Sequence, residues 1–231
     1  MRNALGDGQV SAAEIVRQLV LERGMTVLAT ARRQDRLDEL AAELPEGRVL
    51  TESGDLADAE FRRCLWARAE AMPGGLDLLV NNAGLGQYAE FDEQELEAIR
   101  RIFDVNVIAP MDLTQRAAPH EARRSGQILQ VSSILGFMGL PYSTAYVSSK
   151  FAVNGLVTSL RYELRGTGVR VWAACPGADV ERVLGNALGD MNPPGPMPGG
   201  ELTDKVVRGM LRRPRPPGHC SSCRPGSPGR P

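Results

Sequence analysis

The sequence predicts an α/β fold in which a doubly wound parallel sheet carries helices on both faces. Short apolar runs alternate with amphipathic helical patterns along most of the 231-residue chain. Such alternation implies right-handed crossovers and a parallel sheet that is covered on both faces. Polar or glycine-rich clusters follow the runs, and sheets of this kind bind ligands at the carboxyl ends of their strands. A composition of 42% hydrophobic and 24% charged residues is ordinary for a globular protein.

Local signals place the elements in order. Ser11 and Glu14 form a capping box that opens the first helix, and Gly24 ends it. Apolar runs predict strands at residues 25–30, 48–52, 76–80, 127–131 and 169–174. Helical spacing predicts a helix around Leu37 and Leu40, and further helices at 58–72, 92–117, 143–165 and 201–213.

The carboxyl-terminal end has a different composition. Ten of the sixteen prolines lie between Pro193 and Pro231, and the five arginines from Arg212 onward are accompanied by no acidic residue. A tail of this composition cannot bury enough apolar surface to fold alone. We therefore expect one domain at residues 1–213, with its core at 11–190, and a disordered tail at 214–231.

Features of the whole chain argue against several classes of function. A net charge of −1 argues against a nucleic-acid partner. No apolar run has membrane-spanning length and the first residues lack a secretion signal, so we expect no membrane partner and a cytoplasmic location. Four cysteines do not make a disulfide scaffold, and Cys64 and Cys175 are expected in the core. His219, Cys220 and Cys223 fall short of the four ligands that zinc normally needs, so no metal site is expected.

Tyr146 and Lys150 lie four residues apart, which places a phenol and an ammonium on one face of a helix. A nearby positive charge favours the phenolate and lowers the pKa of a tyrosine. Ser133 lies 13 residues before Tyr146, at the end of the preceding strand, where a hydroxyl can hold a carbonyl or alcohol oxygen beside the phenol. Together the three groups suit the interconversion of an alcohol and a ketone. Taken alone, a Tyr-x-x-x-Lys pair is more often a solvated helical pair than a catalytic one.

With these residues the chain resembles the short-chain dehydrogenase/reductase family. The resemblance covers roughly residues 11–180 and implies a Rossmann-like fold and hydride transfer with a nicotinamide cofactor. The matching motifs are Asn81-Asn-Ala-Gly84, Asn106 within Asp-Val-Asn-Val, Ser133, Tyr146-x-x-x-Lys150 and Pro176-Gly177.

The resemblance implies a role for each catalytic residue. Tyr146 would be the catalytic acid/base, while Lys150 would lower its pKa and hold the nicotinamide ribose. Ser133 would orient the substrate oxygen, and Asn106 would support a water-mediated proton path.

The resemblance also implies a cofactor site. Asn82, Ala83 and Gly84 would line the cofactor cleft. Pro176 and Gly177 would contact the nicotinamide end. Asp55 and Leu56 resemble the pair that contacts the adenine in the family. The alternative is that they form a simple capping turn before the helix that begins near Asp58.

Arg32 and Arg33 bear on the choice of cofactor. They follow the strand at 25–30, where an acidic residue would accept a hydrogen bond from a ribose 2′-hydroxyl and an arginine accommodates a 2′-phosphate. The turn contains no acidic residue, and the arginine fork suits phosphate. We therefore expect NADP, with NAD as the alternative. Both arginines could also be solvated residues at a helix entry.

The glycine-rich turn of the family is degenerate in this chain. Its first glycine falls on Gly6, but its second and third fall on Val10 and Ala12. A β-branched residue intrudes where the backbone must approach a phosphate. Upstream, Met1-Arg-Asn-Ala-Leu5 is too polar for a central strand, and Pro214 follows where the family adds its last strand. The first and last strands are therefore predicted to be degenerate or missing.

The substrate pocket is expected at Ile134, Phe137, Met138 and Tyr142, with residues 178–200 as a lid. These side chains favour an apolar alcohol or ketone, although they could simply be the core of a loop. The resemblance also implies a homodimer or homotetramer that pairs through the helices at 92–117 and 143–165.

The sequence thus supports two hypotheses. The first is an NADP-dependent oxidoreductase that interconverts an alcohol and a carbonyl. The second is an inactive domain that keeps the active-site residues but has lost the glycine-rich turn that would bind the cofactor. Such a domain would act as a binding module or have no role.

Overall fold

A computed structural model describes residues 11–124 and 126–176 of the chain. Five strands alternate with helices along this part of the chain. The strands are β1 (Val27–Ala31), β2 (Val49–Ser53), β3 (Leu78–Asn81), β4 (Gln127–Val131) and β5 (Arg170–Ala174). The helices are α1 (Ala12–Arg23), α2 (Gln34–Ala42), α3 (Ala59–Glu70), α4 (Leu96–Phe103), α5 (Ala109–Arg124) and α6 (Thr144–Glu163).

The capping signals at the two ends of α1 form as predicted. The Ser11 side chain accepts a hydrogen bond from the Glu14 N–H at 3.3 Å. Gly24 has a left-handed φ of 63°, and its N–H turns back to the last carbonyls of the helix. This conformation favours glycine because it has no Cβ, so the chain can turn directly into β1.

Every strand pair among the described residues is parallel, which confirms the predicted α/β fold with a parallel sheet. β1 pairs with β2, with Val27 opposite Val49. β4 lies between β3 and β5, with Leu78 opposite Gln127 and Gln127 opposite Arg170. Within the described residues, the strands form two separate sheets, β1-β2 and β3-β4-β5, and no described strand lies between them.

The first helix joins the two sheets. Ile15 and Leu19 of α1 pack in one core cluster with Leu129 and Val131 of β4, and Val27 of β1 packs against the same cluster. Val16 and Val20, on the adjacent face of α1, belong to a second cluster with residues of α2 and β1. Because one helix buries apolar side chains from both sheets, the sheets form one α/β layer structure.

The long helical region predicted around residues 92–117 forms between Leu96 and Arg124, and it contains a π-helical turn that the sequence did not predict. A short 3₁₀ turn at Phe91–Glu93 precedes α4, and a π-helical turn at Asp104–Ile108 separates α4 from α5. Turns of this kind insert an extra residue into a helix and are frequent at functional sites. The turn carries Asn106, whose buried side chain bonds outside its own helix.

Within the two described ranges, no helix combines the length and the apolar character that crossing a membrane requires.

Candidate active site

Tyr146 and Lys150 meet on the buried face of α6. Tyr146 is 4% exposed and Lys150 is 3% exposed. The Lys150 Nζ atom lies 5.4 Å from the centroid of the Tyr146 ring and donates a hydrogen bond to the Val131 carbonyl at 3.0 Å. Since Val131 is the last residue of β4, the ammonium is fixed at the carboxyl end of the sheet.

Burial changes the acid–base behaviour of this lysine. Removal from water disfavours the ammonium and lowers the pKa of Lys150 from 10.5 to about 8, against a weaker opposing effect of Cys175. A lysine with such a pKa exchanges protons much more readily near neutral pH than an exposed lysine does.

Asn106 fastens the loop after β3 to α6. Its Oδ1 accepts a hydrogen bond from the Leu85 N–H at 2.7 Å, and its Nδ2 donates to the Leu85 carbonyl at 2.8 Å and to Ser149 Oγ at 2.9 Å. Ser149 in turn donates to the Tyr146 carbonyl at 2.7 Å. Asn106 is 1% exposed, so this chain of bonds is shielded from water and fixes the backbone that carries Tyr146.

Ser133 opens the loop that follows β4. Its backbone is extended, and its Oγ accepts a hydrogen bond from the Leu135 N–H at 3.2 Å. The next amide, that of Ile134, donates to the Pro176 carbonyl at 2.9 Å. The loop is therefore tied to the segment after β5, and Leu135 packs directly on Tyr146.

Gly136 brings this loop into close contact with α6. Its carbonyl accepts a hydrogen bond from Asn154 Nδ2 at 2.9 Å. A Cβ at position 136 would lie 2.4 Å from that nitrogen and 2.8 Å from the Lys150 carbonyl. Only glycine fits this approach without a shift of the loop or the helix.

The loop after β3 lies against the same cluster. A Cβ at Gly84 would lie 3.6 Å from both Lys150 Nζ and Asn106 Oδ1. The buried Oδ1 of Asn82 has no hydrogen-bond partner within the described part of the chain. A buried acceptor of this kind needs a donor, which a cofactor amide or hydroxyl can supply.

Two arginines follow β1, and Arg32 lines a cavity that also reaches the loop after β3. Arg32 and Arg33 are exposed. Asp55 accepts from the Ala57 N–H at 2.9 Å and forms an ion pair with Arg101. Burial opposes ionisation of Asp55, but the Ala57 amide and the positive charges of Arg101 and Arg32 outweigh it and lower the pKa of this carboxyl.

A cavity of about 780 Å³ extends from the loop after β3 to the ends of β1 and β2, and among the described residues Ser133, Tyr146 and Lys150 do not line it. Six of the residues that the sequence assigned to the cofactor line it, namely Arg32, Asp55, Leu56, Asn82, Ala83 and Gly84. The cavity also runs along β1 and β3. The residues along this cavity therefore fit part of an elongated dinucleotide.

The proposed substrate residues border the tyrosine. Ile134 and Met138 pack on the cluster formed by Leu135 and Tyr146, whereas Phe137 is 63% exposed. Tyr142 has a left-handed φ of 62°, and its ring lies 5.3 Å from that of Tyr88.

Some predicted residues lie outside the described residues, and one described residue contradicts a prediction. Gly6, Gly177, the lid at 178–200 and the cluster around His219 are among the former. Cys64 was expected in the core, but it is exposed on α3, because the buried face of that helix is formed by other residues, including Trp66. In the ranges that the structure covers, no group of three or more His, Cys, Asp or Glu side chains could hold a metal ion.

Sequence reasoning missed Ser149 and Arg101. Ser149 lies inside the Tyr146-x-x-x-Lys150 segment, and a serine three residues after the tyrosine was a signal for a bond to its carbonyl. The pairing of Arg101 with Asp55 joins residues 46 positions apart, for which the sequence gives no local signal.

Comparisons with known proteins agree with this geometry. A family model described as short chain dehydrogenase matches residues 6–183. An uncharacterized oxidoreductase of Myxococcus xanthus is 39% identical over 160 residues, which are 67% of this chain and 62% of the relative. A 3α-hydroxysteroid dehydrogenase of Mediterraneibacter gnavus is 33% identical over 162 residues, which are 68% of this chain and 65% of the relative. This chain thus spans a little under two thirds of the length of both relatives.

The fold gives the same result. The crystal structure of a metagenomic short-chain oxidoreductase in complex with NADP matches with a TM-score of 0.75 and 28% identity, over 90% of this chain and 89% of the other. The order of the parallel strands, the tyrosine–lysine pair on α6 and the family match all agree, and the chain belongs to the short-chain dehydrogenase family.

Proposed function

We propose that this protein is an NADP-dependent oxidoreductase that interconverts an alcohol and a ketone or aldehyde. The observation that carries the proposal is the buried pair on α6, with Lys150 Nζ 5.4 Å from the Tyr146 ring. A phenol beside a lysine fixed at a strand end is an acid–base group held in one place. The bound cofactor would supply or accept the hydride.

Each polar side chain around Tyr146 has a separate role in the proposed proton transfer. The Tyr146 hydroxyl donates a proton to the substrate oxygen during reduction and accepts it during oxidation. Ser133 orients that oxygen, while Lys150 supplies the positive charge that favours the phenolate. Asn106 is a positioning residue, because its bonds to Leu85 and Ser149 hold the loop and the helix in register.

Exchange of Tyr146 for phenylalanine tests this assignment. Tyr146→Phe removes the proton donor and keeps the ring, so we expect turnover to fall at least ~100-fold while NADPH binding is retained. Tyr162→Phe is the matched control, because Tyr162 lies on the same helix and is 75% exposed. Normal turnover by the Tyr146 variant, measured by NADPH absorbance, would remove Tyr146 from the mechanism.

The cleft favours NADP. Arg32 lies after β1, where a 2′-phosphate would meet its guanidinium, and the Asp55 carboxylate nearby is already paired with Arg101. A neighbour of similar fold binds NADP. Asn82, Gly84 and Lys150 would hold the nicotinamide half.

The cofactor assignment predicts a selective loss. Arg32→Ala should weaken NADPH binding by about 10-fold or more and leave NADH binding nearly unchanged, because only NADPH carries the phosphate that arginine binds. Arg23→Ala, an exposed arginine in the last turn of α1, is the control. Dissociation constants from nicotinamide fluorescence measure the effect, and equal losses for both cofactors would contradict it.

The substrate is proposed to be an apolar alcohol or ketone. Ile134, Leu135 and Met138 surround Tyr146 with aliphatic surface, which favours apolar ligands over sugars. The relative from Mediterraneibacter gnavus that is named a 3α-hydroxysteroid dehydrogenase fits the same class.

A second candidate, an inactive binding module, is favoured by the division of the described strands into two sheets. Thermal unfolding with millimolar NADPH separates the two candidates. A saturable rise in melting temperature favours the oxidoreductase, and no rise favours the binding module.

A further inference from the structure

Arg62 forms a buried ion pair beside the turn that follows β2. Its side chain extends from α3 and is 7% exposed, and its Nε donates to Asp112 Oδ2 on α5 at 2.6 Å. Arg116 Nε donates to the other carboxylate oxygen at 2.7 Å. Apolar side chains of similar volume often replace a buried ion pair without loss of stability, so stability alone does not account for this arginine.

The same guanidinium also holds the turn after β2. Arg62 Nη1 donates to the Leu56 carbonyl at 2.7 Å and to the Ala57 carbonyl at 3.0 Å. Because the guanidinium is a rigid planar fork, its bond to Asp112 fixes the direction in which it meets these two carbonyls. The turn is therefore tied to α5 through a residue that lies 50 positions before Asp112 in the chain.

One peptide group connects this arginine with the Asp55 carboxylate. The carbonyl of Leu56 and the N–H of Ala57 belong to the same planar trans unit and point in opposite directions. The carbonyl accepts from Arg62, and the N–H donates to Asp55 Oδ1 at 2.9 Å. Since the unit is rigid, the bond from Arg62 also sets the direction of the N–H that holds the carboxylate.

The turn that Arg62 holds borders the cavity proposed for the cofactor. Asp55 and Leu56 line this cavity, whereas Arg62 and Asp112 do not. Arg62 can therefore act on a molecule in the cavity only through the residues of the turn.

We propose that Arg62 is a positioning residue for the adenine end of the dinucleotide. It fixes the peptide between Leu56 and Ala57 and thereby holds Asp55 and Leu56 in one arrangement at the edge of the cavity. The inference rests on the proposed binding of NADP, in which the resemblance to the family assigns Asp55 and Leu56 to the adenine. The two hydrogen bonds to the turn carbonyls are the contribution that an apolar side chain at position 62 could not make.

A double variant separates this positioning role from stability. Arg62→Met with Asp112→Leu replaces the buried ion pair by apolar side chains and leaves neither charge buried alone. We expect it to bind adenosine 2′,5′-bisphosphate at least about tenfold more weakly than the wild type, because the turn carbonyls lose a charged donor. The KM for NADPH should rise by a similar factor while kcat stays within about twofold, because the bonds of Ser149 and Lys150 that fix the catalytic cluster run to α6 and β4. Titration calorimetry measures the affinity.

Hydrogen exchange gives a second measurement that needs no ligand. The Ala57 and Asp58 amides both donate to Asp55, and they should exchange about tenfold faster in the double variant because the turn opens more often. The matched control is Arg63→Met with Glu60→Leu, which removes an exposed ion pair from the same helix. The control should change neither the affinity nor the exchange rates.

Both expected changes are required. Unchanged affinity or unchanged exchange in the folded double variant overturns this proposal alone, and so do equal changes in the control. A wild-type protein that does not bind adenosine 2′,5′-bisphosphate overturns both this proposal and the NADP assignment. If the double variant does not fold, Arg62→Lys takes its place, because it keeps the charge and lacks the planar fork. Affinity and exchange equal to those of the wild type in Arg62→Lys would then overturn the proposal.

Discussion

Lys150 should make the stability of the protein depend on pH in the alkaline range. The pKa of its ammonium is lowered by burial from 10.5 to about 8. Below pH 8 the lysine is protonated in both the folded and the unfolded state, and the folded state carries the cost of the buried charge. Above pH 10.5 it is neutral in both states and the cost is absent. The free energy of unfolding therefore rises with pH between these two values.

The size of the stability change follows from the pKa shift of Lys150. At about 1.4 kcal/mol per pKa unit, a depression from 10.5 to about 8 amounts to about 3 kcal/mol in total. Lys150→Met removes this cost but leaves the Val131 carbonyl without its donor, which costs about 1 kcal/mol at every pH. The variant should be more stable than the wild type by about 2 kcal/mol near pH 7, and this advantage should vanish near pH 10.

Urea unfolding followed by circular dichroism measures the effect at several pH values between about 7 and 10. The informative quantity is the difference between the variant and the wild type, because other titrating groups contribute to both proteins and largely cancel. The Cys175 thiol, whose pKa burial raises, is the exception because its charge interacts with that of Lys150, so the comparison is made in a Cys175→Ala background. A difference that stays constant over this range would show that Lys150 is not a buried ammonium, and the reasoning would be refuted.

Two further predictions concern stability and have neighbouring residues as controls. Arg62 is 5% exposed and bonds to Asp112 at 2.6 Å, so Arg62→Ala should lower the free energy of unfolding by about 3 kcal/mol. Arg63→Ala, which breaks an exposed pair within α3, should leave the free energy of unfolding nearly unchanged; equal losses for the two variants in urea unfolding would contradict this. Gly136→Ala forces a Cβ to 2.8 Å from a backbone carbonyl and should cost about 1–3 kcal/mol. At Gly139 a Cβ meets nothing within 4 Å, so Gly139→Ala should leave the melting temperature nearly unchanged, and the same result at Gly136 would refute the close approach.

The features that the sequence predicted depend on short-range geometry. Tyr146 and Lys150 are one helical turn apart, so any helix through them places both on one face. The clusters after the strands meet in one region because the carboxyl ends of parallel strands lie at the same edge. To predict either feature, it is enough to identify each segment correctly as a helix or a strand. An error of one or two residues in the predicted ends of that segment changes neither prediction.

The features that the sequence did not predict depend on how distant elements meet. The ion pair of Arg101 and Asp55 exists because α4 passes beside the end of β2. The π-helical turn between α4 and α5 accompanies a tertiary contact, the bonds of Asn106 to Leu85, whereas the helical periodicity of residues 92–117 continues through it. Periodicity describes which face of an element is buried, but it does not report a side chain that bonds across to another loop.

The contacts that position the catalytic residues are separate from those that position the residues proposed to bind the adenine end of the cofactor. The described hydrogen bonds that fix the catalytic cluster run between α6, the π-helical turn and the loops after β3, β4 and β5. None of them involves β1 or β2. The residues proposed to hold the 2′-phosphate and adenine end, Arg32 and Asp55, lie on the other sheet, which is joined to the first through α1. A change in the packing of α1 between the two sheets would therefore alter the position of the cofactor's adenine end relative to the tyrosine while leaving the tyrosine–lysine pair intact. For this reason cofactor affinity, rather than the geometry of Tyr146 and Lys150, is the quantity that distinguishes an active oxidoreductase from an inactive relative of the same fold.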